Sequence, residues 1–107
     1  MLSIADVNFH DSHLSDFTVG PRQELSLKVA LDPVWNPKSK GEVVVRMGAV
    51  ENFATVRSFF EKITRPPEPE FYIAEIVRFE SSARGAFLLE LDGVGSVEIR
   101  SAKLTLK

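Results

Sequence analysis

His10, Asp11, Ser12 and His13 form the one close gathering of acid, base and ligand side chains in this chain. An imidazole, a carboxylate and a second imidazole could hold zinc or a similar cation if the backbone turned them inward, with a further ligand such as Asp16 or Glu75. On a regular strand, however, His10 and His13 face opposite sides. Ser12 between two histidines suggests a nucleophile and its base, but adjacent residues rarely reach attack geometry, and no glycine-flanked serine elbow surrounds it. A structural role asks for less. Asp11 and Ser12 are turn formers whose side chains bond nearby backbone amides, and His10 would fix the corner of the same turn.

Trp35, the only tryptophan, lies in a loop flanked by Pro33 and Pro37. It is either a lid over the core or an exposed anchor for a partner, and the tendency of tryptophan to be largely buried favours the lid. Asp92-Gly93-Val94-Gly95 echoes part of a glycine-rich phosphate loop, but it joins two strand candidates rather than opening a helix and reads as a tight turn. The candidate binding residues are therefore His10, Asp11, Ser12, His13 and Trp35, with no catalytic residue, metal ligand or cofactor assigned.

The elements that position these residues are mostly strands. Leu25, Leu27, Val29 and Leu31 alternate with Ser26, Lys28 and Ala30, which puts four aliphatic side chains on one face. Residues 32–41 carry Pro33, Pro37 and Gly41 and form a long connection to a valine-rich strand from Glu42 to Met47, with antiparallel pairing across the loop. The period then changes. Phe53, Val56, Phe60 and Ile63 recur at steps of three and four, giving one amphipathic helix from Asn52 to Ile63 with Asn52 as N-cap. Pro66, Pro67 and Pro69 must end it and make residues 65–70 a stiff connector.

Three strand candidates follow, Phe71 to Glu80, Ala86 to Leu91 and Ser96 to Leu106, spaced as consecutive hairpins. In Phe71 to Phe79 apolar residues occupy both parities, as in a strand covered on both faces by the core and by either the helix or another chain. In the last candidate Val97 and Ile99 have odd parity, Leu104 and Leu106 even. One regular strand cannot bury all four, so a bulge near Ser101 or Ala102 is expected to bend the sheet. At the front, Ile4 to Phe9 and Phe17 to Val19 read as two short strands joined by the histidine cluster.

Composition bounds the function. The 107 residues suit one domain, spanning 1–107, and 44% apolar with 26% charged residues is ordinary for a packed globule. A formal charge of −2, with Lys and Arg scattered along the chain, lacks the footprint of a nucleic-acid binder. With no cysteine there is neither a disulfide nor a thiol nucleophile, which suits a reducing cytoplasm. No stretch approaches the roughly 20 apolar residues of a spanning helix, so no membrane partner is expected.

Val7-Asn8-Phe9-His10-Asp11-Ser12-His13-Leu14, a strand pair, Val50-Glu51-Asn52-Phe53 leading into a helix, and Leu89-Glu90-Leu91-Asp92-Gly93 leading into a final strand together resemble a group of small bacterial domains with a His-Asp-Ser-x-Leu opening. Some of these look like immunity proteins of bacterial toxin systems. The resemblance spans most of the chain, and His10, Asp11 and Ser12 match the opening motif. It implies an α+β domain whose role is to bind another protein.

The fold expected is α+β: a bent antiparallel sheet, or a small β-sandwich or half-barrel, of about six or seven strands with one helix packed across it. The function expected is a non-enzymatic, immunity-like protein-binding module. A small-molecule or metal-binding domain at the His10-Asp11-His13 corner, with a hydrolase as its catalytic form, is one alternative. A homodimer built on the Tyr72 face or a free sheet edge is the other.

Overall fold

Alternation and helical period each produce the element they predict. In the computed structural model, which describes residues 7–37, 41–63 and 72–107, β1 spans His13–Val19, β2 Leu25–Ala30, β3 Glu42–Gly48, α1 Phe53–Glu61, β4 Ala74–Ala83, β5 Ala86–Leu91, β6 Gly95–Arg100 and β7 Lys103–Leu106. The strands form one seven-stranded sheet in the order β6-β5-β4-β1-β2-β3-β7, and every pairing is antiparallel. This is the small α+β fold expected, with a bent sheet and one helix packed on it. Leu25, Leu27 and Val29 from β2 and Val43, Val45 and Met47 from β3 are all buried in one apolar core, because residues two apart share a face.

The front of the chain departs from the reading above. Val7, Asn8 and Phe9 lie outside any strand, and Ile4, Ala5 and Asp6 fall outside the described residues, as does the connector at 65–70. The first strand starts earlier than Phe17, at His13, so that His13 belongs to β1 rather than to a connection. A register shift at Ser15 explains why alternation hid it: Leu14 pairs with Val29, Asp16 with Lys28, and the extra residue turns both Leu14 and Phe17 inward despite opposite parity. The Ser15 hydroxyl donates to the Lys28 carbonyl at 3.0 Å across this irregularity.

β4 repeats the device. A shift between Ile76 and Arg78 puts Ile76 and Phe79 both in the core. Apolar residues on both parities therefore do not mean two covered faces, since Tyr72 and Val77 remain exposed. Only the start of β4 touches β1, with His13 opposite Glu75 and Leu14 opposite Ala74.

The parity conflict in the last candidate strand is resolved at Ser101 and Ala102, which divide it into β6 and β7. β6 pairs with β5, and β7 with β3, at the opposite end of the sheet order. Two residues thus join the outermost strands, and the sheet must curl until its ends meet. Ser101 occupies that seam. It is buried, its amide donates to the Gly85 carbonyl at 2.9 Å, and its hydroxyl donates to the Gly48 carbonyl at 2.7 Å and accepts from the Lys103 amide at 3.2 Å.

The helix is shorter than predicted, but its face is the predicted one: Val56 and Phe60 are buried, and Phe53 and Ile63 pack against the same core. Asn52 precedes it without making a side-chain cap. Its side-chain Nδ2 instead donates to the Glu98 carbonyl at 2.7 Å and its Oδ1 accepts from the Arg100 amide at 3.0 Å, while the Glu51 amide donates to the Arg100 carbonyl at 2.8 Å. These bonds occupy the free edge of β6, which would otherwise offer a template for another strand. Asn52→Ala is expected to cost about 1–2 kcal/mol in urea unfolding and to raise aggregation during refolding, followed by light scattering.

Candidate functional site

The histidine cluster is a tight turn running into β1. The Ser12 amide donates to the Phe9 carbonyl at 3.1 Å, and Asp11 adopts φ of 59°, a left-handed conformation that Asp tolerates better than most residues. The side chain that bonds the backbone here is neither Asp11 nor Ser12, as the sequence suggests, but Asn8, whose Oδ1 accepts from the His10 amide at 2.9 Å. Phe9 is buried and meets the Phe79 ring edge-on at 5.1 Å, which anchors the turn to the core. The Ser12 carbonyl accepts from the Ile76 amide and the Leu14 carbonyl from the Ile73 amide, both at 2.8 Å, so the turn is also tied to the segment entering β4.

The loop between β2 and β3 closes onto this turn. Asp32 organises it, with Oδ1 accepting from the Val34 amide at 2.8 Å and its carbonyl accepting from the amides of Trp35 and Asn36 at 3.2 and 3.0 Å. Asn36 then clamps the two segments together: its Nδ2 donates to the Asn8 carbonyl at 2.6 Å, and its Oδ1 accepts from the Asn8 amide at 3.0 Å. With the loop so held, the Trp35 indole Nε1 donates to Asp11 Oδ2 at 3.2 Å, and its ring packs against His10 with centroids 4.5 Å apart. His10 Nδ1 lies 3.0 Å from the same carboxylate oxygen.

Trp35 is 45% exposed and Val34 78% exposed, so the expected lid over the core is corrected to a surface aromatic held at one edge. A ring that already spends its only donor on Asp11 leaves an apolar face to solvent. His13 has a separate partner. Its ring stacks on Tyr72 at 4.7 Å with 20° between the planes, and Tyr72 is 52% exposed.

The structure thus brings His10, Asp11 and Trp35 together and sends His13 to Tyr72. Among the described residues, no three His, Asp or Glu side chains converge as a cation site. Ser12 is fully buried, and its hydroxyl makes no hydrogen bond, so neither histidine is placed as its base. Asp92-Gly93-Val94-Gly95 is the tight turn expected, closed by the Val94 amide on the Leu91 carbonyl at 3.1 Å, with Gly93 and Gly95 at φ of 75° and 127°. Sequence reasoning missed Asn8 and Asn36, and it placed Tyr72 on a face for a second copy of the chain rather than beside His13. The one available signal was an Asn before Pro37, a frequent loop pairing whose distant partner no spacing reveals. No family model matches the chain, and neither does any curated protein or solved structure. Among the described residues, no helix is long and apolar enough to cross a membrane.

Proposed function

We propose that this chain is a non-enzymatic protein-binding module of the immunity-protein kind, working in a reducing bacterial cytoplasm, and that its partner docks on the corner built by His10, Asp11, His13, Val34, Trp35 and Tyr72. The observation that carries this reading is the half-exposed Trp35 ring, fixed on Asp11 and His10 before any partner arrives. Aromatic rings held rigid bury much area at small entropic cost, which is why Trp and Tyr dominate the energetics of interfaces. The resemblance of the opening motif to immunity-like domains supports the same corner, since His10, Asp11 and Ser12 are its matching residues.

The absence of cysteine supplies the test. A single cysteine placed by Val34→Cys and labelled with a photo-crosslinker should give one discrete adduct in lysate of the source organism, and Ser82→Cys, exposed on β4, should not. Adducts at both positions, or at neither, would remove the reading. An adduct to a second copy of the chain would replace it with the homodimer, for which exposed Tyr72 and Val77 supply a surface.

A further inference from the structure

Four segments meet around the docking corner: the turn and start of β1 (7–14), the loop after β2 (31–37), the entry to β4 (72–76) and the turn after β5 (91–95). Hydrogen bonds tie them together: the Asn36 side chain to the Asn8 backbone, the Ile76 amide to the Ser12 carbonyl, and the Asp92 amide to the Glu75 carbonyl at 3.0 Å. These segments contain the carboxylates Asp11, Asp32, Glu75 and Asp92 and not one Lys or Arg. Asp11, Glu75 and Asp92 are exposed. Lys28, near the end of β2, is already 3.6 Å from Glu42, while Lys38 and Lys40 follow Pro37 in the chain outside the described residues. The basic residues Arg22, Arg84, Arg100 and Lys103 belong instead to the other turns and to the seam.

Among the described residues the corner therefore combines two outward rings, Trp35 and Tyr72, with carboxylates and no Lys or Arg, on a protein whose overall charge is only −2. Resting on the docking reading above, we infer that the partner presents a basic segment, with an arginine side chain laid against the free face of the Trp35 indole and its guanidinium head facing the Asp11 carboxylate. Indole is the strongest aromatic acceptor for a cation. A guanidinium is planar, so it can stack on the ring while still donating hydrogen bonds to a neighbouring carboxylate, which an ammonium does less well. Asp11 is suited to that second role because the contacts to Trp35 and His10 both use Oδ2. Charge of one sign around an apolar centre also sets which partners are rejected.

Trp35 is its own reporter, being the only tryptophan. The full chain would be titrated, up to millimolar concentrations, with three capped hexapeptides differing only at two central positions: arginine, its neutral isostere citrulline, or glutamate. Saturable change in Trp35 fluorescence is expected with the arginine peptide, with citrulline weaker by about tenfold and glutamate silent. Asp11→Asn, which keeps an acceptor for the indole, and Glu75→Gln should each weaken the arginine peptide by about three- to tenfold. The peptide comparison leaves the protein unaltered, so it decides the matter even if a variant folds poorly. Equal binding of arginine and citrulline peptides would overturn the basic partner while leaving the docking corner in place. Preference for glutamate, or no response to any of the three, would also overturn it, and the Val34 cross-link would then judge the corner separately.

Discussion

Phe60→Ala should cost about 3–5 kcal/mol in urea unfolding, a large share of the 5–15 kcal/mol that holds a typical domain together. Phe60 is almost wholly buried in the last turn of α1, its ring centroid is 4.9 Å from that of Phe17 on β1, and it meets Phe59 edge-on at 5.3 Å. Its place matters more than its size. β1 pairs with β4 only at His13 and Leu14, and beyond Leu14 its inward Phe17 is met by Phe60 of α1. Phe17, Phe53 and Phe60 line a cleft of about 500 Å³ between helix and sheet, with Arg57 and Glu61 at its rim. That exposed ion pair, at 2.9 Å, adds little by itself. Removing the Phe60 ring would extend the cleft into the core with nothing positioned to refill it. A loss below about 1 kcal/mol would show that the helix does not cover β1 in this way.

Ser101→Ala ranks second. The substitution deletes a hydroxyl that donates to Gly48 and accepts from Lys103 in the buried seam, for an expected loss of about 1–3 kcal/mol. Hydrogen exchange should distinguish this loss from a general weakening. Amides of β7 should lose protection first, because the hydroxyl ties the start of β7 to the end of β3, whereas β2, paired on both sides, should keep its protection until global unfolding. Unchanged protection in β7 would mean that its pairing with β3 closes the seam unaided.

Where neighbouring residues alone determine the structure, the sequence was legible. Leu25, Leu27 and Val29 announced β2, and Phe53, Val56 and Phe60 announced the helix, because a period of two or of about 3.6 is visible in a single window. Even the seam was foreshadowed, since Val97 and Ile99 against Leu104 and Leu106 cannot share one regular strand. Bulges defeated the same logic at Ser15 and after Ile76, where an extra residue exchanges the faces and makes an alternating strand look unpatterned. The site was legible only by halves. The turn formers around Asp11 were evident, but the bond from Trp35 to Asp11 spans 24 positions and that between Asn8 and Asn36 spans 28. Such pairings depend on how β1 and β2 are registered, and no local rule encodes that. The same long reach made Trp35 look like a lid: with its bond to Asp11 invisible locally, only the general tendency of tryptophan to be buried was left to place it.

The two-residue step between β6 and β7 also governs the order in which the structure can assemble. The Ser101 hydroxyl reaches a carbonyl 53 positions earlier in the chain, and β7 is synthesised after the other six strands. While the ribosome is still making residues 101–106, β3 stands as an outer strand without its neighbour, and the sheet cannot curl shut. Closure must wait for a contact with a high loop-closure cost, which places this chain among slower-folding topologies. Until then, the valine-rich edge of β3 is the surface most open to mispairing with another nascent chain.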